Sequence, residues 1–340
     1  MKDISLREKT YKIERAFLSP YATFSEKTQG RQRYEEPCAM RTDFQRDRDR
    51  LIYCKSFRRL KNKTQVFFSP EGDHYITRLT HTLDVAQISR SIARALSLNE
   101  DLAEAIALGH DLGHTPFGHS GERILRNLSP FGFEHNEQSL RVVDVLEKDG
   151  RGLNLTFEVR DGIVNHKKNG KPATLEGKCV SLADRIAYIN HDLDDAIRAG
   201  LLSLNDIPKE IIEVLGESPK QRINTAILSI YNNSNGINDV KMDKDVETAS
   251  ENLRTFMFQR VYYSSTAKRE EEKAERMLTE MYNYFKEHID ILPKTYIALL
   301  DKYPREQVVC DYISSMTDRY AIYTFNSIFV PKGWTFIDEK

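Results

Sequence analysis

Five of the chain's nine histidines, His81, His110, His114, His119 and His135, cluster in one segment. His110 is followed directly by Asp111, and a lone Asp184 lies downstream in the apolar frame Ser181-Leu-Ala-Asp-Arg-Ile-Ala-Tyr188. Imidazole nitrogens combined with carboxylate oxygens suit Mn, Fe, Co, Ni, Zn or Mg, and the lack of sulfur sets the group apart from a structural zinc site. Burying such carboxylates together is costly unless a cation compensates them. Taken singly, a helical histidine is more often a hydrogen-bonding group than a ligand; the joint pattern of His81, His110, Asp111 and Asp184 argues for a metal with open coordination positions. His119 and Glu122, three residues apart, suit a dyad in which the carboxylate orients the imidazole.

Helices must position these groups. Val85, Ile88, Ile92 and Leu96 recur at three- and four-residue steps, which predicts a helix running through His81. Asn99 suits an N-cap, and the helix it starts, 100–112, ends at Gly113, so that His110 and Asp111 sit side by side at its C-terminus. The segment Gly113-His-Thr-Pro-Phe-Gly118 reads as a turn, followed by a helix from about His119 that carries Glu122. Further helical patterns cover 138–147, 157–166, 177–199, 221–231, 246–263, 266–285 and 305–329. The expected fold class is all-α, with at most a small β-hairpin where Gln65-Val-Phe-Phe-Ser meets Pro70-Glu-Gly-Asp73. We divide the chain into an N-terminal arm (1–40), a metal-bearing core (41–232) and a C-terminal helical region (233–340), with the loop Asn232-Asn-Ser-Asn-Gly236 between the last two. The C-terminal region is expected to complete the substrate pocket and to make subunit contacts.

With 340 residues, 40% hydrophobic and 30% charged, the chain can bury a sizeable core and is globular in composition. Its apolar runs are too short to span a bilayer, and its first residues lack a signal-peptide core, so no membrane association and a cytoplasmic location are expected. Four cysteines scattered without a CxxC pair read as reduced and structural. A net charge of −1 gives no argument for nucleic acid. The stretch from Arg41 to Lys63 is nevertheless rich in Arg and Lys, which predicts either an anionic substrate or a solvated helix face.

Thr80-His81, His110-Asp111 and Asp184 match the H…HD…D pattern of the HD-domain metal-dependent phosphohydrolases. The run His110-Asp-Leu-Gly-His-Thr-Pro-Phe-Gly-His-Ser-Gly-Glu122, with Phe57-Arg-Arg-Leu-Lys-Asn-Lys-Thr-Gln65 and Phe133-Glu-His-Asn-Glu-Gln-Ser139, resembles the deoxynucleoside triphosphate triphosphohydrolases, the dGTPase family and its bacterial dGTPase-like branch. The resemblance implies an HD-domain helical fold and release of deoxynucleoside and intact tripolyphosphate by water attack at the α-phosphorus. It also implies a divalent metal on His81, His110, Asp111 and Asp184, with Mg accompanying the triphosphate.

On that likeness His114 meets the α-phosphate or hands a proton to the leaving oxygen, and His135 joins His114, His119 and Glu122 as a proton-handling group, with acid and base unassigned. Gln65 and Asp192 are similar to the pair that holds the sugar 3′-hydroxyl, and Tyr188 to the ring packed on the 2′-carbon that leaves no room for ribose. Arg59, Lys61, Arg78, Arg185 and Arg254 are candidates for phosphate or base contacts, and Tyr262 for the pocket wall. Members of the family assemble into oligomers from dimers to hexamers, so a homo-oligomer is expected; binding of single-stranded nucleic acid, known for some members, is not carried over. The rival readings are another HD phosphohydrolase (a monophosphatase, a cyclic-nucleotide or (p)ppGpp hydrolase) and a nucleic-acid-binding protein with a non-catalytic HD site.

Overall fold

Three helices, Arg78–Ala95, Glu100–Gly109 and Leu175–Arg198, pack on one another at the centre of the molecule, with Asp43–Tyr53 and Phe157–Val164 laid against the second of them. The computed structural model describes residues 5–65, 76–262 and 265–333. Among these there is no β-strand, only isolated bridges joining Arg31 to Thr156 and Thr64 to Thr77, so the fold is all-α. The hairpin expected at 65–73 lies, beyond Gln65, outside the described residues.

Local chemistry sets the central helices. Thr77 and Thr80 form a capping box at the start of Arg78–Ala95, whose inner face buries His81, Val85, Ile88 and Ile92. The Asn99 side chain accepts from the Leu102 amide at 3.2 Å, and Glu100 and Asp101 face the helix's positive end. From Leu102 onward every residue of that helix except Glu104 is buried, as its central place requires. The helix ends at Gly109, three residues short of the sequence expectation, because the chain must turn at once to lay Gly113 against the helix His135–Arg141. A Cβ at Gly113 would overlap the backbone there, and the Gly113 amide donates instead to Ser139 Oγ at 2.9 Å. Glu100–Gly109 and Phe157–Val164 cross at a second close approach, where a side chain on Gly109 would overlap Ile163 and one on Gly162 would overlap Ile106. This crossing brings together His110 and His166, which follow the two helix ends.

The N-terminal segment begins with a helix, Leu6–Phe17, and is bound down by buried charge. Glu14 accepts from the Ser25 amide and hydroxyl at 2.8 and 2.6 Å. Arg31 bridges Asp43 (3.0 Å), Asp47 and the Asn154 carbonyl (2.7 Å). Glu35 takes Arg50, Arg46 (3.0 Å) and the Asn154 amide (2.6 Å). Arg48 lies on Asp101 and Glu104, and Arg41 on Asp49 at 2.9 Å. Arg46 and Arg50 of the basic stretch therefore hold the arm to the core, while Arg41 and Arg48 pair within the core, so each of these guanidinium groups already has a carboxylate. Partial burial would raise Glu35, but Arg50, Asn154 and Arg31 outweigh it and hold the carboxyl at about 2. A depressed carboxyl contributes stability that is present above its unfolded pKa, near 4.5, and is lost as pH falls toward 2. Glu35→Gln is thus expected to melt below the wild type at pH 7, with the gap closing between pH 4.5 and 2. A constant gap across a pH series of thermal melts would refute this.

The C-terminal helices Ser265–Glu287, Arg305–Ser314 and Asp318–Phe329 build a second core around Leu278, Met281, Phe285, Val309 and Ile313, which also takes in Phe117, Ile124 and Leu125. Polar contacts tie this part to the turn that follows His110. The buried Lys63 ammonium donates to the His114 carbonyl and, at 2.7 Å, to the Ser314 carbonyl. Asp318 accepts from the Phe117 amide at 3.0 Å and from the Thr64 amide at 3.0 Å. Gln138 and Arg141 reach Asp311 at 2.9 and 2.7 Å.

Candidate active site

His81 on Arg78–Ala95, Asp184 on Leu175–Arg198, and His110 and Asp111 in the turn just past Gly109 converge on one point. His81 Nε2 lies 3.1 Å from Asp184 Oδ1 and 4.0 Å from Asp111 Oδ2. His110 Nε2 lies 3.5 Å from Asp111 Oδ1 and 3.8 Å from Asp184 Oδ1. His110 donates its Nδ1–H to the Ala107 carbonyl at 2.6 Å, which leaves Nε2 with a lone pair; that nitrogen is buried and has no hydrogen-bond partner among the described residues. An orphaned acceptor between two carboxylates is disfavoured without a cation. The donor set of two imidazoles and two carboxylates fits a divalent metal, with His81, His110 and Asp111 offering atoms within 4.8 Å of one another. Burial would raise Asp111, but His110, His114 and Arg78 outweigh it and hold the carboxyl well below its usual range; Arg78 donates to it at 2.9 Å. Burial likewise opposes ionisation of Asp184, and its histidine neighbours reverse the effect.

A second histidine group adjoins this point. His114 Nε2 is 3.1 Å from Asp111 Oδ1, its Nδ1 has no partner among the described residues, and its ring stacks on His135 at 4.0 Å. Glu122 accepts from His135 Nδ1 at 3.0 Å and from the His135 amide at 3.2 Å. His119, by contrast, is exposed and stands 3.8 Å from Glu122, beyond hydrogen-bond reach. The expected His119–Glu122 dyad is therefore corrected: the imidazole that Glu122 orients is His135, because the entry to the next helix brings His135 closer than the residue one turn back. His119 lies on the rim of the cavity. Burial would raise Glu122, yet the His135 imidazole that bonds it and the neighbouring His114 drive its carboxyl far below the usual range.

The group opens into a cavity of about 640 Å³ lined by Gln65, Arg78, Tyr188, Arg185 and Arg254 among others, a size suited to a nucleotide. Asp192, one turn beyond Tyr188, does not line the cavity; it is buried, neither carboxylate oxygen has a hydrogen-bond partner among the described residues, and burial together with the charge of Asp195 pushes it well above its usual range. Gln65 Oε1 is also buried without a partner among the described residues. Arg185 and Arg254 face Glu251 at 3.9 and 3.5 Å, and Lys168 reaches it at 2.8 Å. Such partly exposed pairs are worth about 0–1 kcal/mol each, so a phosphate can displace the carboxylate from them. Arg59 and Lys61 do not line the cavity: Arg59 bonds Ser56 Oγ at 2.7 Å and Lys61 is exposed, because the helix Lys55–Arg59 and the turn after it bury Ser56, Phe57 and Leu60, and of this stretch Gln65 reaches the cavity. Tyr262 ends the π-helical turn Phe258–Tyr262, and its side chain lies outside those described.

Comparison with known proteins agrees with this geometry. The HD domain model matches residues 78–189, and that of the phosphohydrolase-associated domain matches 240–327. The chain is 57% identical over 331 residues to the deoxyguanosinetriphosphate triphosphohydrolase-like protein of Caldanaerobacter subterraneus subsp. tengcongensis, covering 97% of this chain and 98% of that one. The chain belongs to this family. A second dGTPase-like relative, from Desulfatibacillum aliphaticivorans, is 48% identical and matches 96% of this chain and 99% of its own. A solved phosphohydrolase from Bacteroides thetaiotaomicron shares the fold at a TM-score of 0.53 and 17% identity, over 82% of this chain and 67% of that one. The dGTPase-like chain is an HD-domain hydrolase on a metal-dependent phosphohydrolase fold. Among its described residues no helix is long and apolar enough to cross a membrane.

Two histidines of the dGTPase-like site escape a reading of the sequence. His166 donates Nδ1–H to the Ile163 carbonyl at 2.7 Å, just as His110 does to Ala107, and its Nε2 meets His135 Nε2 at 3.2 Å. Burial and the neighbouring His110 and His135 push it down to about 3. The signal was its place directly after a helix end, where a ring can bond the carbonyl three residues back. His191 touches His81, and only its spacing of seven from Asp184, two helical turns on one face, could have marked it.

Proposed function

We propose that this hydrolase converts deoxynucleoside triphosphates to deoxynucleoside and tripolyphosphate, using a divalent cation held by His81, His110, Asp111 and Asp184, and serves to control the deoxynucleotide pool. The observation that carries the metal reading is the buried, unpartnered Nε2 of His110 facing two carboxylates. When bound, the cation supplies Lewis-acid charge to a phosphate oxygen and to the attacking water. Arg78 keeps Asp111 ionised and aimed at the centre.

His135 and His166 both commit Nδ1–H, to Glu122 and to the Ile163 carbonyl. Their 3.2 Å Nε2 contact then needs one further proton, and the Glu122 charge favours it on His135. His135 is thereby the group poised to give a proton to the departing 5′-oxygen. His114, whose ring burial drives well below its usual pKa, is neutral and offers a bare Nδ1 to the cavity. Tyr188 lines the cavity and is read as the ring that excludes a 2′-hydroxyl, with the buried Asp192 one turn on as the group that takes the 3′-hydroxyl. The dGTPase-like names of the relatives and the cavity's cations support a triphosphate substrate.

The test is anion-exchange analysis of products from each dNTP and rNTP with Mn or Mg. Tripolyphosphate from dNTPs alone is expected. Orthophosphate as the sole inorganic product, or equal turnover of ribonucleotides, sinks the reading.

A further inference from the structure

We infer that His191 and Asp84 are positioning residues that fix His81 in the tautomer able to hold a cation. The inference rests on the reading of His81, His110, Asp111 and Asp184 as cation ligands. Asp84 lies one turn after His81 on the helix Arg78–Ala95, and His191 lies on Leu175–Arg198 with Asp184. The pair therefore joins the two helices whose other residues meet at the centre.

Its hydrogen bonds run in one direction. Asp84 Oδ2 lies 2.8 Å from His191 Nε2, and a carboxylate accepts, so that nitrogen carries hydrogen. His191 Nδ1 is then a lone pair, and His81 Nδ1, 3.3 Å away, must donate to it. His81 Nε2 is left as the bare nitrogen, facing Asp184 and Asp111. The ring centroids lie 5.4 Å apart with the planes turned 82° to each other, so the two Nδ1 edges face one another as this bond requires.

His110 reaches the same tautomer through a backbone carbonyl, which no side-chain substitution removes. Among the described residues His81 reaches it through His191 alone. Without an acceptor at His191, His81 can place its hydrogen on Nε2 and donate to Asp184 3.1 Å away, which closes the position to a cation. Outer partners of this kind raise ligand basicity and change metal affinity by about 10–100-fold.

The test titrates Mn or Zn into the full-length, chelator-stripped protein by calorimetry, with melting of the metal-free form as a check on folding. His191→Phe is expected to bind about 10–100-fold more weakly at an unchanged metal-free melting temperature. His191→Gln, whose amide oxygen can accept from His81, should recover most of the affinity. Wild-type affinity in His191→Phe overturns the inference. If that variant does not fold, Asp84→Ala decides, because Asp84 is half-exposed: weakened binding supports the inference and unchanged binding overturns it. His110→Ala separates the two levels. If it binds as well as the wild type, or if the wild type binds neither ion, the cation site itself is refuted; if His110→Ala alone loses binding, only the role of His191 falls.

Discussion

Asp111→Ala and His110→Ala should lose hydrolysis alike and differ sharply in stability. Each removes a proposed cation ligand, and losing several kcal/mol of charge stabilisation corresponds to a rate loss of about 10³-fold or more. Asp111 also neutralises Arg78, whose side chain is only 2% exposed. Removing one partner of a buried pair costs about 3–5 kcal/mol because the other charge stays buried alone. His110→Ala leaves no such charge; its Nε2 has no partner to orphan. In denaturant melts of the metal-free proteins, Asp111→Ala should therefore be markedly less stable than His110→Ala. Asp111→Ala with Arg78→Met should recover much of that stability and none of the activity. Equal stability of the two single variants would refute the charge argument.

Glu122→Gln should lower kcat by about 10²–10⁴-fold while leaving KM nearly unchanged, because the carboxylate holds His135 and not the substrate. The bond to His135 Nδ1 survives as a neutral contact, but the charge that keeps the proton on the ring is gone. His119→Ala should cost far less, since His119 is exposed and outside hydrogen-bond reach of Glu122. Steady-state rates on a dNTP decide: a His119 variant as damaged as Glu122→Gln would restore the dyad read from sequence spacing. The pH profile adds a sign. The native carboxyl is held far below its usual range, so Glu122 stays ionised through the acid limb, and an acid loss of activity above pH 4.5 must come from another group.

Residue type and spacing made the helical architecture and the histidine-aspartate convergence legible, because helix periodicity and caps such as Asn99 are local and HD is a contiguous pair. What the sequence hid was pairing across space. The arginines of the stretch from Arg41 onward look like a phosphate platform until Glu35, Asp101 and Glu104 claim them. His119 looks like the partner of Glu122 because three residues on a helix are neighbours, yet a residue thirteen positions on, His135, comes closer. His166 and His191 carry no motif, and they matter only because the Gly109–Gly162 crossing and the long Leu175–Arg198 helix bring them in. Arg59 and Lys61 share a basic run with Lys63, but a short helix faces them elsewhere.

The turn bearing His114 and Phe117 is fastened by Lys63 to Ser314 and by its own amide to Asp318, some two hundred residues away. The machinery for hydrolysis is thus not portable. A graft that moved only the segment matched by the HD model into another scaffold would carry the ligands without their anchor, and the associated C-terminal segment must be inherited with it for the centre to keep its shape.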